Sequence, residues 1–155
     1  MYSSLESKYI SNKSFDLEFA SPLDINVSIF SASIVSLEVN PSIELQINKK
    51  EEVIEAVPLN ADAEQILAEM KLKGTDVHTA TNAIIGSLLK HGYIDELANS
   101  ILLSVEDKDS VRGEALQKTL SSEINAILDG ASINAALLSL FVEGDKVDAV
   151  SQQYE

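Results

Sequence analysis

Between Ser14 and Leu59 apolar residues recur at every second position, and from Asn60 onward they recur every three or four. This change of period limits the fold more than any other feature of the chain. A period of two puts alternate side chains on opposite faces of a strand, whereas a period near 3.6 gathers them along one side of a helix. Phe15, Leu17 and Phe19 alternate with polar residues; so do Ile25, Val27 and Ile29, then Val35, Leu37 and Val39, then Ile43, Leu45 and Ile47. Ser21-Pro22, Asn40-Pro41 and Asn48-Lys49-Lys50 fall between these runs and read as turns. Residues 53–59 make one more strand.

Asn60 is an expected N-cap, with Asp62 and Glu64 in a first turn where negative charge suits the helix dipole. The spacing predicts helices over residues 61–71, 77–91 and 110–128, with a strand at 100–105 before the third. Their apolar faces are expected at Ala63, Ile66, Leu67 and Met70; at Val77, Ala80, Ile84 and Leu88; and at Val111, Ala115, Leu120, Ile124 and Ile127. Residues 133–142 fit a helix or a buried strand equally well, and Asp145 can cap a last helical piece carrying Val147, Val150 and Tyr154. Strands followed by helices, then strand, helix and a further apolar segment, indicate an α+β fold: an antiparallel sheet packed on helices. Residues 1–30 are set apart as an N-terminal extension, and 31–155 form the α+β domain.

Charge and composition exclude several functions. Eleven Lys and Arg against 25 Asp and Glu give a net charge of −14, which repels nucleic acid and anionic membranes alike. The absence of cysteine removes disulfides, thiolate zinc sites and cysteine nucleophiles. No apolar run approaches the ~20 residues that a membrane helix needs, so the chain is expected to be soluble. His78 reads as a solvated residue in a helix first turn and His91 as a cation at a helix end. Asp107-x-Asp109 opens like a calcium loop, but Arg112 occupies the sixth position, where the sharp turn needs Gly. No metal, cofactor or small-molecule substrate is expected, and no nucleophile–base set marks a turnover enzyme.

Asn40-Pro41 carries the one chemically distinctive arrangement. Its plain reading is a turn between two strands. Its reactive reading is bond breakage: the Asn40 side-chain amide attacks its own backbone carbonyl, closes a succinimide and expels the nitrogen of Pro41. The usual competitor, in which the following N–H attacks the side chain, is closed because Pro41 has no N–H. Strain at a tight strand-to-strand turn would speed the remaining path. Glu38, Ser42 and Glu44 flank the bond and are candidate assisting groups, the two carboxyls as proton donors.

The stretch Ser36-Leu37-Glu38-Val39-Asn40-Pro41-Ser42-Ile43-Glu44-Leu45, followed by Val53-Ile54 and Pro58-Leu59-Asn60, resembles the extracytoplasmic domain of RsgI-type anti-sigma factors. The likeness continues through Lys90-His91-Gly92-Tyr93-Ile94 and the strand at 100–105, and residues 132–155 resemble the PepSY-associated variety. The resemblance implies a SEA-like or ferredoxin-like arrangement of the α+β fold on the outer face of a bacterial membrane. It implies one self-cleavage at Asn40–Pro41, with the fragments remaining paired through the sheet. Later trimming by membrane proteases would free a sigma factor held by a cytoplasmic segment. The alternative is a passive extracytoplasmic module that binds a protein or cell-wall material through an uncut Asn-Pro turn.

Overall fold

The alternating segments form a meander in the computed structural model, which describes residues 31–97 and 100–144. Strands β1 (Ser33–Glu38), β2 (Ser42–Ile47) and β3 (Val53–Pro58) are successive antiparallel neighbours. Helices α1 (Ala61–Ala68) and α2 (Val77–Lys90) follow, then β4 (Ser100–Asp107), α3 (Ser110–Gly130) and β5 (Ala136–Glu143). The sheet order is β3-β2-β1-β4-β5. The chain's first described strand therefore lies in the middle of the sheet, hydrogen-bonded on both sides.

That position explains the density of apolar residues around β1. Val35 stands between Leu45 and Val105, and Leu37 between Ile43 and Leu103. All six are at most 1% exposed. Ala63 and Ile66 of α1, Val77, Ala80, Ile84, Ile85 and Leu88 of α2, and Leu120 and Ile124 of α3 join the same core. Burying each Val, Leu or Ile side chain stabilises by about 1.5–3 kcal/mol. Asn60 caps α1 as its sequence indicates, and side-chain oxygens of Asp76 and Asp109 likewise accept N–H groups in the first turns of α2 and α3. Gly92, at φ +79°, follows α2 in the left-handed region where a side chain would be strained. At the same helix end His91 Nδ1 lies 2.9 Å from the Ser87 carbonyl, in keeping with its expected place as a helix-end partner.

Some details depart from the sequence reading and one resolves what it left open. The α+β class holds, but the sheet is mixed rather than wholly antiparallel, because α3 carries the chain across and returns β5 parallel to β4. Parallel neighbours require a crossover of a dozen or more residues, which α3 supplies. The ambiguous segment 133–142 resolves as this strand: Leu137, Ser139 and Phe141 turn inward while Leu138 turns out, 65% exposed. Finally, the buried face of α3 runs Gly113, Leu116, Leu120, Ile124 and Leu128. Val111 and Ala115 are exposed. Gly113 is the missing marker, since a Cβ there would collide with Phe141 and Asp107; close helix–strand approach, not an apolar side chain, defines that end of the stripe.

Helix α1 ends at Ala68, short of the expected residue 71. The strands expected near Phe15–Phe19 and Ile25–Ile29 and the helix expected after Asp145 lie outside the described residues. Among the described residues no helix is long and apolar enough to cross a membrane.

Candidate functional site

Strands β1 and β2 are paired as far as Glu38 and Ser42, leaving Val39, Asn40 and Pro41 to reverse the chain. The Val39 N–H donates to the Pro41 carbonyl at 2.9 Å, so the reversal is made about Asn40 alone. Pro41 has no N–H with which to return the bond. Asn40 accordingly sits at φ +69°. This left-handed region costs a residue with a Cβ about 1–2 kcal/mol, and Asn tolerates it better than most. A following proline narrows the choice further, since it favours extended backbone in the residue before it. This backbone cost belongs to the rotation about the Asn40 N–Cα bond, in the residue that precedes the Asn40–Pro41 peptide. Asn40 is exposed at the tip, whereas Pro41 is buried and Val39 packs on the core.

A third strand reaches the same place. Ile43 pairs with Pro58, and the Leu59 N–H donates to the Ser42 carbonyl at 2.9 Å. Asn60 therefore arrives beside the β1–β2 turn as it caps α1. Its Oδ1 accepts the Ala63 N–H at 3.0 Å and the Ser42 N–H at 3.3 Å. Its Nδ2 donates to Asn40 Oδ1 at 3.3 Å. The sequence marks Asn60 as a cap but not as a neighbour of Asn40. The usable signal is the length of the meander: two hairpins of six-residue strands bring the residue after β3 back to the first turn.

The other flanking residues are distributed as follows. Glu38 and Ser42 face each other across β1 and β2, and Glu44 is on the same face, away from the core. Among the described residues neither carboxylate has a hydrogen bond to Asn40 or Pro41. Ser42 contributes main-chain bonds, its N–H to Asn60 and its carbonyl to Leu59.

A family profile described as "Anti-sigma factor RsgI-like central domain" matches residues 32–153, from the first residues before β1 through the Asn40-Pro41 turn and beyond β5. The chain belongs to this family. Anti-sigma-I factor RsgI6 of Acetivibrio thermocellus is 34% identical over 107 residues, covering 68% of this chain and 14% of that protein. Anti-sigma-I factor RsgI9 of the same organism is 31% identical over 111 residues, covering 66% of this chain and 16% of that protein. Anti-sigma-I factor RsgI of Bacillus subtilis is 27% identical over 90 residues, covering 56% and 24% respectively. The chain therefore spans no more than 24% of the length of these three relatives.

Two ionic clusters brace this RsgI-like domain away from the turn. At the end of β4 the fully buried Asp107 accepts four donors. Ser33 Oγ (2.6 Å) and Arg112 Nε (2.8 Å) bond to Oδ2. The Asp109 N–H and Arg112 Nη2, each at 2.8 Å, bond to Oδ1. Burial alone would raise its pKa, but the Arg112 guanidinium, Ser33 and the backbone N–H hold the carboxyl below the ordinary range. The residue that spoils the calcium-loop spacing, Arg112, is thus the cation that Asp107 keeps.

The second cluster corrects the reading of His78 as a solvated side chain. Its Nδ1 lies 3.1 Å from Glu123 of α3 and its Nε2 3.0 Å from Glu51 in the β2–β3 turn. The Val77 N–H donates to the Glu51 carbonyl at 2.7 Å and draws that turn onto the start of α2. Burial lowers the His78 pKa, but Glu51, Glu123 and nearby Asp76 outweigh it, and the net shift is upward. A raised pKa means the protonated ring favours the folded state. Its contribution is complete below the unfolded value of about 6.5 and is lost as pH rises through the folded value. Urea unfolding at pH 6 and pH 8 should show the loss, of up to about 1 kcal/mol for so accessible a cluster. His78→Gln should remove this pH dependence; an unchanged slope would mean that another group carries it.

Proposed function

We propose that this chain is the extracytoplasmic regulatory domain of a membrane-anchored anti-sigma factor, and that it cuts itself once between Asn40 and Pro41. The observation carrying the reading is the turn itself: an exposed Asn at φ +69°, followed by a buried proline that cannot take part in backbone deamidation. In the reaction Asn40 Nδ2 attacks the Asn40 carbonyl carbon and the bond to Pro41 nitrogen breaks. Pro41 takes up a proton and becomes an N-terminal secondary amine. The upstream piece ends in a cyclic imide, which water then opens to asparagine or its iso form. The reaction spends its own peptide bond and one water and cannot repeat, so the domain is a single-event device rather than an enzyme in the usual sense.

The pieces are residues 1–40 and 41–155. The first contributes β1 to the middle of the sheet, where both its edges are paired. Each ladder bond adds about 0.5–1.5 kcal/mol, alongside the burial of Val35 and Leu37, so the two pieces stay together. In the parent protein, removal of this held strand would expose the membrane-proximal part to membrane proteases and release the sigma factor. A SEA-like role of this kind accords with the central position of β1.

Incubation of the purified chain, followed by denaturing electrophoresis and intact-mass measurement, tests the proposal. Two pieces that co-elute in size exclusion are expected, the upstream one initially a water lighter than a hydrolysed fragment. A chain that remains whole after prolonged incubation would favour the passive module, with the turn serving as ordinary structure.

A further inference from the structure

We infer that Asn60 is the positioning residue for cleavage at Asn40–Pro41, holding the attacking amide the right way round; this rests on the self-cleavage proposed above. The argument begins with Asn60. Its Oδ1 faces two backbone N–H donors, those of Ser42 and Ala63. Only an oxygen can accept both, so the orientation of the Asn60 amide is fixed by its surroundings, and Nδ2 is the atom turned toward Asn40. Nδ2 can only donate. Asn40 must therefore offer it the carbonyl oxygen Oδ1, at 3.3 Å. An Asn side chain has two ends, and with Oδ1 held by Asn60 its Nδ2 is the end left for its own backbone carbonyl.

The same bond has an electronic effect. To attack, Nδ2 must lose a proton, and the negative charge that develops collects on Oδ1. A donor already placed there stabilises that charge without reorganising at the moment of reaction. One side chain thus joins three places: the start of α1, the start of β2 and the reacting residue. The α1 cap prevents Asn60 from swinging away, so that the integrity of the helix start and the reactivity of the bond depend on one amide.

Asn60→Asp separates these duties. The variant keeps an oxygen for both backbone N–H groups, and Asp is as good an N-cap as Asn, so the fold is retained. At neutral pH it has no proton to donate and sets a negative charge against Asn40 Oδ1. Cleavage at pH 7 should slow at least about tenfold relative to wild type. Below pH ~4 the new carboxyl is protonated and can donate, and the ratio of wild-type to variant rate should fall back toward one. A role confined to capping would move in the opposite direction, since protonation weakens the cap. Asn60→Ser gives a second check: it retains a capping hydroxyl, lacks the reach to Asn40 and should be slow at every pH. Circular dichroism and thermal melting establish folding for each variant. If wild type is cut and both variants are cut as fast at pH 7, Asn60 has no positioning role and the self-cleavage reading stands. If the ratio for Asn60→Asp does not change with pH, the donor role is wrong. If wild type is never cut, the self-cleavage reading fails and takes this inference with it.

Discussion

Asn40→Gly is expected to remain a single chain under conditions in which the wild type separates into residues 1–40 and 41–155 on a denaturing gel. The substitution removes the nucleophile and the acceptor of the Asn60 amide but leaves the turn's backbone unstrained, because glycine adopts φ +69° freely. Asn40→Ala also removes the amide but places a Cβ in the left-handed region, at about 1–2 kcal/mol. It should be uncut but less stable, so the glycine variant is the cleaner control. If the backbone cost of Asn40 at φ +69°, about 1–2 kcal/mol at most, is released in the transition state, it accounts for roughly a five- to thirtyfold acceleration. The remainder must come from orientation and proton transfer. Glu38 and Glu44, on one face beside Ser42, are the nearby groups of Asp or Glu type in these strands, and replacing both with Gln tests the proton transfer separately. Persistent cutting of Asn40→Gly at the same bond would mean that the attacking group is not the Asn40 side chain.

Asp107→Ala should lower stability by about 3 kcal/mol or more, the range found when one partner of a buried ion pair is removed. For a domain of this size that is a fall in melting temperature of roughly 10 °C. Four donors lose their acceptor at once. Arg112 can turn toward water, but Ser33, 3% exposed, cannot. The pH dependence distinguishes this cluster from that of His78. Because the folded pKa of Asp107 is depressed, its contribution is present above the unfolded value near 3.9 and disappears as pH falls through the folded one. Wild type should therefore lose stability in acid, and Asp107→Ala should lose correspondingly less. An equal acid slope in both would assign the acid sensitivity to other carboxylates.

What the sequence discloses here follows the range of each signal. Asn60 is legible as a cap because a cap acts on the next three residues. The inward faces of β1 and β2 are legible because the period of two is local and strong. The buried face of α3 is displaced in the reading because Gly113 is selected by Phe141, a residue nearly thirty positions away, and carries no apolar side chain to betray it. Segment 133–142 is ambiguous because Ala136 and Leu140, exposed in β5, complete a helical pattern by coincidence. At the candidate site the chemistry proposed for Asn40-Pro41 is argued from two residue types. The positive φ and the bond to Asn60, twenty positions on, arise only when three strands and a helix start converge.

The central place of β1 also has a mechanical meaning. Ser33 pairs with Asp107, and Asp107 pairs with Glu143, so the start of β1 and the end of β5 stand at one end of the sheet. Tension drawing those two points apart runs across the strands and loads their rungs singly, beginning at Ser33, instead of shearing all of them together. While the Asn40–Pro41 bond is whole, peeling stops at the hairpin, which ties β1 covalently to β2. Once that bond is broken, nothing but the last rung halts the zipper, and a modest steady force can draw the strand out and leave β2 and β4 with bare facing edges. The domain would then act as a fuse whose threshold is set by rung-by-rung peeling, sensitive to the direction of a pull as well as to its size.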